Sequence, residues 1–455
     1  MISPAYSSAA FARLTRASSP RSSGLELATN ARKFSSVRAY SANPSSAVSA
    51  REMRLDAARS SRSKASSVGE AIVVDALLDA FFPRRACGGT YPPAIASALT
   101  SAPLTTERRN ERALVAARRR RKARGMKTAV CVLGIDGYLA QFVAREFIAA
   151  TEACDVVFTT SRRSGGDDGC DARMVRVKCD FNCEESCEEA ARALMAEGLD
   201  LRGVINCAAM SSPGQCEAAP ELARRANAPR ALWSAISSIA QSRGKQAPLW
   251  IQLSTDHVYD GERALSDEST ACAPVNAYGA SKVFCEETLA KDYPRSIVLR
   301  SSIITGPKAP LTDVERTLFL DFIASSFAKE TPTTFYDDEF RSPICVFDIV
   351  RVVRTLLQRH DDLPDRRVYN MGGPDRVSRV DMANGVAEFL AKGDAAMEQV
   401  FKSKIAVASC AEAKALRGVA APPDISMDSR ALVREICQDW APRSFEEQIA
   451  VAFAT

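Results

Sequence analysis

From Met126 onward, short apolar runs alternate with stretches in which apolar residues recur every three to four positions. The runs lie at residues 128–133, 155–160, 174–179, 203–207, 249–254 and 296–300. Near-continuous apolar segments of this length, bounded by turn residues, read as strands buried on both faces. Between them, residues 138–150, 184–196, 219–239 and 278–293 carry the helical period. Strand and helix in alternation predict an α/β fold, a Rossmann-type doubly wound parallel sheet over residues 126–306. After Gly306 the rhythm loosens, and helical or mixed stretches at 318–327, 344–358, 380–390 and 445–453 stand among several Pro. They predict a smaller C-terminal α/β substrate lobe over 307–455, with some segments returning to the first domain.

Residues 1–125 break this pattern and change the reading of charge. They carry 22 basic against 8 acidic residues, leaving 38 against 47 of the chain's totals of 60 and 55. A net charge of +5 therefore conceals a basic, Ser/Arg/Ala-rich extension and an acidic remainder. Such a composition buries too little apolar surface to offset its ordering entropy, so the extension is expected to be disordered. Three readings stay open: a transit peptide, which implies a plastid or mitochondrion; a basic interaction arm built on the run at 118–124; or an untranslated stretch, with Met126 the start of a cytoplasmic protein. A nucleic-acid role would rest on this extension alone, and none is expected. No apolar run approaches the roughly 20 residues that span a bilayer. The best, at 70–82, contains Asp75 and Asp79, so no membrane partner is expected either. Among 14 Cys, Cys179, Cys183 and Cys187 form a C-x3-C-x3-C run, but there is no C-x2-C pair and only two His. No metal site is expected, and the thiols read as free.

Candidate chemistry begins at the end of the first strand. Residues 133–140, LGIDGYLA, place G-x-x-G-x-x-A at a strand-to-helix turn. Gly134 permits the tight turn, Gly137 a close backbone approach to a pyrophosphate, and Ala140 close helix–strand packing. Tyr138 and Leu139 then open the helix whose free N–H groups would meet the phosphates. Two features run against the pattern: Leu133 is bulky, and Asp136 puts a carboxylate in a phosphate turn. The second strand ends in Ser161-Arg162-Arg163. An acidic residue there suits the ribose hydroxyls of NAD and an Arg suits a 2′-phosphate, so Arg162 or Arg163 predicts NADP, used as NADPH. Asp180 and Phe181 end the third strand, where the adenine would lie. Asn206, Ala208 and Ala209 end the fourth, along the cofactor's path.

The fifth strand runs into Ser254-Thr255-Asp256-His257, and Tyr278-Gly279-Ala280-Ser281-Lys282 follows about twenty residues later. Residues i and i+4 share a helix face, so Lys282 can stand beside Tyr278. A phenol with a pKa near 10 is a poor proton relay at neutral pH. A nearby ammonium favours the phenolate, and bringing the value to 7 takes about three units, roughly 4 kcal/mol. Tyr278 would then protonate a carbonyl oxygen as hydride arrives on its carbon, and Thr255 would hold that oxygen. With no G-x-S-x-G elbow, a serine triad is disfavoured; His257 reads as a pocket residue.

With these motifs in place, the chain from Met126 to Thr455 resembles the dTDP-4-dehydrorhamnose reductase family of extended short-chain dehydrogenases/reductases. The resemblance lies in STDHVYDG (254–261), VNAYGASK (275–282), VLRSSIITG (298–306), FRSPICVFDIV (340–350), NMGGPDRVSRVDMA (370–383) and PPDISMDSRAL (422–432). It is strongest to plant and algal reductase-like members. It implies reduction of a 4-keto sugar nucleotide with NADPH, with Thr255, Tyr278 and Lys282 on the family's catalytic positions and His257 and Arg341 towards the substrate. Related 4,6-dehydratases carry Asp-Glu after the Thr; the Asp256-His257 pair here argues against dehydration. The same family includes the regulatory β subunit of methionine adenosyltransferase, which keeps a Tyr-Lys pair and binds NADP. The resemblance therefore also implies a second class of partner, the methionine adenosyltransferase catalytic subunit, and it leaves a homodimer open.

Overall fold

Seven parallel strands form the centre of the protein in a computed structural model that describes residues 125–150, 154–162, 171–412 and 418–454. The expectations for residues 1–124, and the assignment of Arg163, lie outside the described residues. The sheet strands are β1 (Lys127–Leu133), β2 (Val156–Ser161), β3 (Met174–Lys178), β4 (Leu199–Asn206), β5 (Leu249–Thr255), β6 (Ser296–Ser301) and β7 (Val368–Met371). Their spatial order is β7-β6-β5-β4-β1-β2-β3, and each adjacent pair runs parallel. The order reverses between β1 and β4. In a doubly wound sheet that switch point opens the crevice in which ligands bind.

Successive side chains of a strand point to opposite faces, and each face has its own core. On one, Val130, Val132, Ile205, Ile251 and Ile297 pack against α1 (Tyr138–Ala149) and a later helix, Val346–Gln358. On the other, Ala129, Cys131, Leu133, Val204, Trp250 and Val298 meet α2 (Glu184–Leu194), α4 (Arg230–Ser242) and α5 (Ala277–Asp292). Trp233 and Trp250 lie edge to face there, with centroids 5.8 Å apart. A third core, with Leu320, Ile323, Phe335, Val386 and Phe445, belongs to the C-terminal lobe.

Three elements differ from the sequence-based expectation. The helical stretch at 219–239 is two helices, α3 (Pro220–Asn227) and α4, with Ala228 at φ −124° and ψ 85° between them. Pro229 follows, and the residue before a proline is pushed out of the helical region. The stretch at 344–358 opens with a two-residue strand, Ile344–Cys345, paired with Ile304–Thr305, and becomes helical only at Val346. The sheet also gains β7 from the C-terminal lobe, four residues long and too short for its period to register.

Candidate functional site

The turn after β1 is shaped by a glycine that no other residue replaces without strain. Gly134 has φ +84°, and a Cβ there would come within 2.7 Å of the Ala208 Cβ. The ends of β1 and β4 touch at this point. The Gly134 N–H donates to the Thr160 carbonyl and to Thr160 Oγ1, both at 3.2 Å. Gly137 N–H closes the turn on the Gly134 carbonyl at 2.9 Å. Helix α1 then starts with no side-chain cap and no acidic residue in its first turn, which leaves its leading N–H groups suited to an anion. Tyr138 donates its hydroxyl proton to the Pro307 carbonyl at 2.8 Å. Gln141, fully buried, accepts from the N–H groups of Leu311 and Thr312 at 2.9 Å each. The start of α1 is thus tied to the segment that follows the first domain.

The two features that ran against the turn pattern have physical explanations. Leu133 is fully buried in the same core as Trp233, and Leu139 is buried in the opposite one, so both side chains serve packing. Asp136 is exposed and accepts the Ser161 hydroxyl proton at 2.5 Å, which draws its carboxylate to the end of β2, beside the exposed Arg162. Asp180 accepts from the backbone and side-chain amides of Asn182 at 3.0 and 3.2 Å, closing its own turn, and Phe181 packs half-buried on the sheet. Asn206 is fully buried. Its amide donates to Gln252 Oε1 at 2.9 Å and accepts from the Ala208 N–H at 3.1 Å, so it shapes the strand end. Ala208 is half-buried and Ala209 exposed at the same end.

The catalytic candidates converge at the carboxyl end of β5. Helix α5 is capped by Asn276, whose side-chain oxygen accepts from the Gly279 N–H at 2.9 Å, a strong N-terminal signal. A Cβ on Gly279 would lie 2.1 Å from the His257 carbonyl. Glycine therefore lets α5 press onto the end of β5, bringing Tyr278 to Thr255. The Thr255 hydroxyl acts on the Tyr278 phenol, working against the upward push that burial gives its pKa. It also lies 3.0 Å from Asp256 Oδ1 and accepts from the His257 N–H at 3.2 Å. Because Asn276 uses its oxygen for the cap, its amide nitrogen faces His257 Nδ1 at 3.2 Å. That makes Nδ1 an acceptor and leaves the proton on Nε2. The His257 ring meets Tyr278 edge to face at 5.5 Å. Burial pulls its pKa down to about 4, so the imidazole is neutral at pH 7.

Lys282 is 3% exposed and donates from Nζ to the Leu253 carbonyl at 2.8 Å. Burial lowers its pKa. One sequence-based expectation is corrected here. Tyr278 is not brought towards 7; burial pushes it up to about 12, opposed by the Thr255 hydroxyl and the Arg316 charge and reinforced by Asp256. Desolvation outweighs the stabilising contacts. Tyr278, Lys282 and Glu286 form one stripe of α5 at i, i+4 and i+8. Glu286 pins that stripe to the sheet. It meets Arg300 of β6 at 2.7 Å with both side chains 7% exposed, and it accepts the hydroxyl proton of Ser254 on β5. Arg300 also donates to Tyr259 Oη at 2.9 Å.

Arg341 lies in a buried ion pair. It is 1% exposed, bonded to Glu339 at 2.9 Å and to the carbonyls of Phe340, Pro422 and Pro423. Its Nε has no hydrogen-bond partner among the described residues, and its charge reaches His257. Three residues that sequence reasoning passed over belong to the site. Asp256 contacts Thr255 directly. Asn276 sets the His257 tautomer. Arg316, exposed, donates to the carbonyl and hydroxyl of Ser211 at 3.0 Å each, and its charge is felt at Tyr278. Asn276 was legible as a cap before an apolar helix; the other two carry no local signal. Among the described residues no cluster of His, Cys, Asp and Glu is arranged to hold a metal, and no helix is long and apolar enough to cross a membrane.

This geometry can be set beside known proteins. The β subunit of methionine adenosyltransferase 2 from Xenopus laevis is 24% identical over 221 residues, covering 48% of this chain and 63% of its own length. A probable low-salt glycan biosynthesis reductase of Haloferax volcanii is 26% identical over 199 residues, covering 44% and 62%. The chain thus spans about six tenths of the length of these curated relatives. A dTDP-4-dehydrorhamnose reductase from Bacillus anthracis, solved in complex with NADP, superposes with a TM-score of 0.56 at 19% identity, over 72% of this chain and 99% of its own. That likeness shows the Rossmann-type fold. The family profile described as the RmlD substrate binding domain matches residues 128–454, and the chain belongs to that family.

Proposed function

We propose that the protein is a nicotinamide-dependent reductase that converts a 4-keto sugar nucleotide to its 4-hydroxy product, with NADPH as reductant and Tyr278 as proton donor. The observation that carries this reading is the seating of α5 on the end of β5, where Gly279 leaves no room for a side chain against the His257 carbonyl and Lys282 reaches the Leu253 carbonyl, so that Thr255, Tyr278 and Lys282 gather on the crevice side of the sheet. The phosphate turn fits the cofactor. Gly134 and Gly137 leave no side chain in the cradle, and the first turn of α1 is uncapped. Those N–H groups would hold the pyrophosphate, Arg162 a 2′-phosphate, and Lys282 the nicotinamide ribose. When bound, the reduced nicotinamide supplies the hydride. Thr255 would orient the substrate oxygen, and Tyr278 would deliver its proton there. A phenol near 12 keeps that proton at neutral pH until an alkoxide, a stronger base, develops beside it. His257, neutral, and Arg341 Nε, which has no partner among the described residues, would give the substrate side further donors.

The test uses residues 126–455 with NADPH and a dTDP-4-keto-6-deoxyhexose, followed by loss of reduced-cofactor absorbance. Turnover should exceed that of Tyr278→Phe by about 10²-fold or more; equal rates would dismiss the reductase reading for that substrate. A second reading, an NADP-binding regulatory subunit of methionine adenosyltransferase, is supported by the high pKa of Tyr278 and by the Xenopus laevis relative. It calls for micromolar association with a methionine adenosyltransferase catalytic subunit, measurable by analytical ultracentrifugation.

A further inference from the structure

Gln141, one turn into α1, is fully buried, yet its amide serves a different segment. Oε1 accepts from the N–H groups of Leu311 and Thr312 at 2.9 Å each. Nε2 donates to the Thr312 carbonyl at 3.0 Å and to Thr312 Oγ1 at 3.1 Å. A glutamine amide has two acceptor and two donor positions, so two adjacent residues satisfy all four. An amide buried without partners is costly. Gln141 therefore holds residues 311–312 against α1.

The same segment has two further anchors. At its start, the Pro307 carbonyl accepts from the Tyr138 hydroxyl at 2.8 Å. Gly306 makes that approach possible, since a Cβ at its φ of +147° would lie 2.7 Å from the Tyr138 hydroxyl. At its far end, Arg316 Nη1 donates to the Ser211 carbonyl and hydroxyl, both at 3.0 Å. The first anchors stand on the helix that follows β1, and the last on the loop that follows β4. Residues 307–316 therefore run across the gap between the ends of β1 and β4, the switch point of the sheet, where a doubly wound fold binds its ligand. No helix or strand forms between Thr305 and Phe319, so side-chain bonds are what hold this stretch in place. The two ends are unequal. The Gln141 end is buried and makes four bonds, whereas Arg316 is exposed and makes two from one nitrogen. Exposed bonds exchange with water at little net cost, so the segment opens at Arg316 and turns about Gln141.

Resting on the dinucleotide-binding part of the reductase reading, we propose that residues 307–316 form a strap that gates the dinucleotide crevice, hinged on α1 by Gln141 and latched to the β4 loop by Arg316. The cofactor enters and leaves while the latch is open, and the closed strap retains it. Gln141 and Arg316 act through the strap and are positioning residues. Closures of this kind commonly set the rate of ligand release.

Stopped-flow fluorescence of NADPH binding to the full chain tests the gate. Arg316→Ala cuts the latch. Its association and dissociation rate constants should both rise about tenfold, the effect of losing one to two net hydrogen bonds. The Kd should stay within about threefold, because the latch holds the strap alike over an empty and an occupied crevice. The sign decides the matter. NADPH is an anion, and by electrostatics alone the loss of a cation slows its association. Slower association overturns the gate, as does a rise in dissociation alone, which a direct phosphate contact would give. Gln141→Leu, which frees the hinge and keeps the bulk, should also raise both rates; unchanged rates there count against the hinge. Hydrogen exchange on the wild-type chain needs no variant. The Leu311 and Thr312 amides should exchange about tenfold more slowly with saturating NADPH, and unchanged exchange at both overturns the proposal. A wild-type chain that binds no NADPH removes the dinucleotide reading and the gate together. NADPH binding with both rates unchanged in Arg316→Ala removes the gate alone.

Discussion

Replacing Glu286 by Gln should be among the most destabilising single changes in the sheet region. The substitution keeps shape and most hydrogen bonds but leaves the Arg300 guanidinium buried without its counter-charge. Both side chains are 7% exposed, and the guanidinium meets both carboxylate oxygens, Oε2 at 2.7 Å and Oε1 at 3.2 Å. Burial pulls against the charged Arg300, and Glu286 more than offsets it, raising the pKa. Removing one partner of such a pair costs about 3–5 kcal/mol. For a protein of this size that is a fall in midpoint temperature of roughly 5–10 °C. Equilibrium urea unfolding followed by tryptophan fluorescence would read it, because Trp233, Trp250 and Trp440 are all buried. The double replacement Glu286→Leu with Arg300→Met removes the stranded charge and should recover at least half of the loss. A Gln variant within about 1 kcal/mol of wild type would mean that water reaches the pair and that it does not fasten the catalytic helix to the sheet.

His257 gives a pH signature. Its imidazole titrates near 4 in the folded protein and near about 6.5 unfolded, so between those values the unfolded chain binds the extra proton. Stability should be unaffected by this group above about pH 6.5 and fall by no more than about 3 kcal/mol as pH drops towards 4; His257→Gln should flatten that limb of a stability–pH curve. Gly134→Ala forces a side chain into φ +84° and against Ala208, so thermal melts should show a loss of about 1–3 kcal/mol and fluorescence titration should show NADPH affinity falling with it. Arg162→Ser should weaken NADPH by about tenfold and leave NADH within twofold, as fits the loss of one charge-assisted contact to a phosphate; equal losses for both cofactors would place Arg162 outside the 2′-phosphate site.

The sheet and its helices were legible because buried parallel strands carry long apolar runs and surface helices carry a clean period. Strands β1 to β6 lie within a few residues of where the pattern puts them. The pattern failed where a single residue overrides it, at Pro229, and where an element is too short for a period, as in β7. The Tyr278–Lys282 stripe was legible from spacing, since four residues fix a shared helix face. The electrostatics around it were not. That Lys282 donates to the Leu253 carbonyl, and that Tyr278 feels the charge of Asp256, depend on segments about twenty residues or more apart in sequence. Arg316 enters the site by the same route, from a loop whose composition says nothing of where it ends.

The seventh strand has a consequence for synthesis. Val368–Met371 pairs with Val298–Ser301, so β6 remains an open edge until about 70 further residues have left the ribosome. At about 5–20 residues per second, that leaves β6, paired with β5 on one side only, with its outer edge open for several seconds. Unpaired edges invite pairing with other chains. The nascent protein is therefore most vulnerable in this interval, and substitutions that delay the docking of β7 should lower the yield of folded protein more than its final stability.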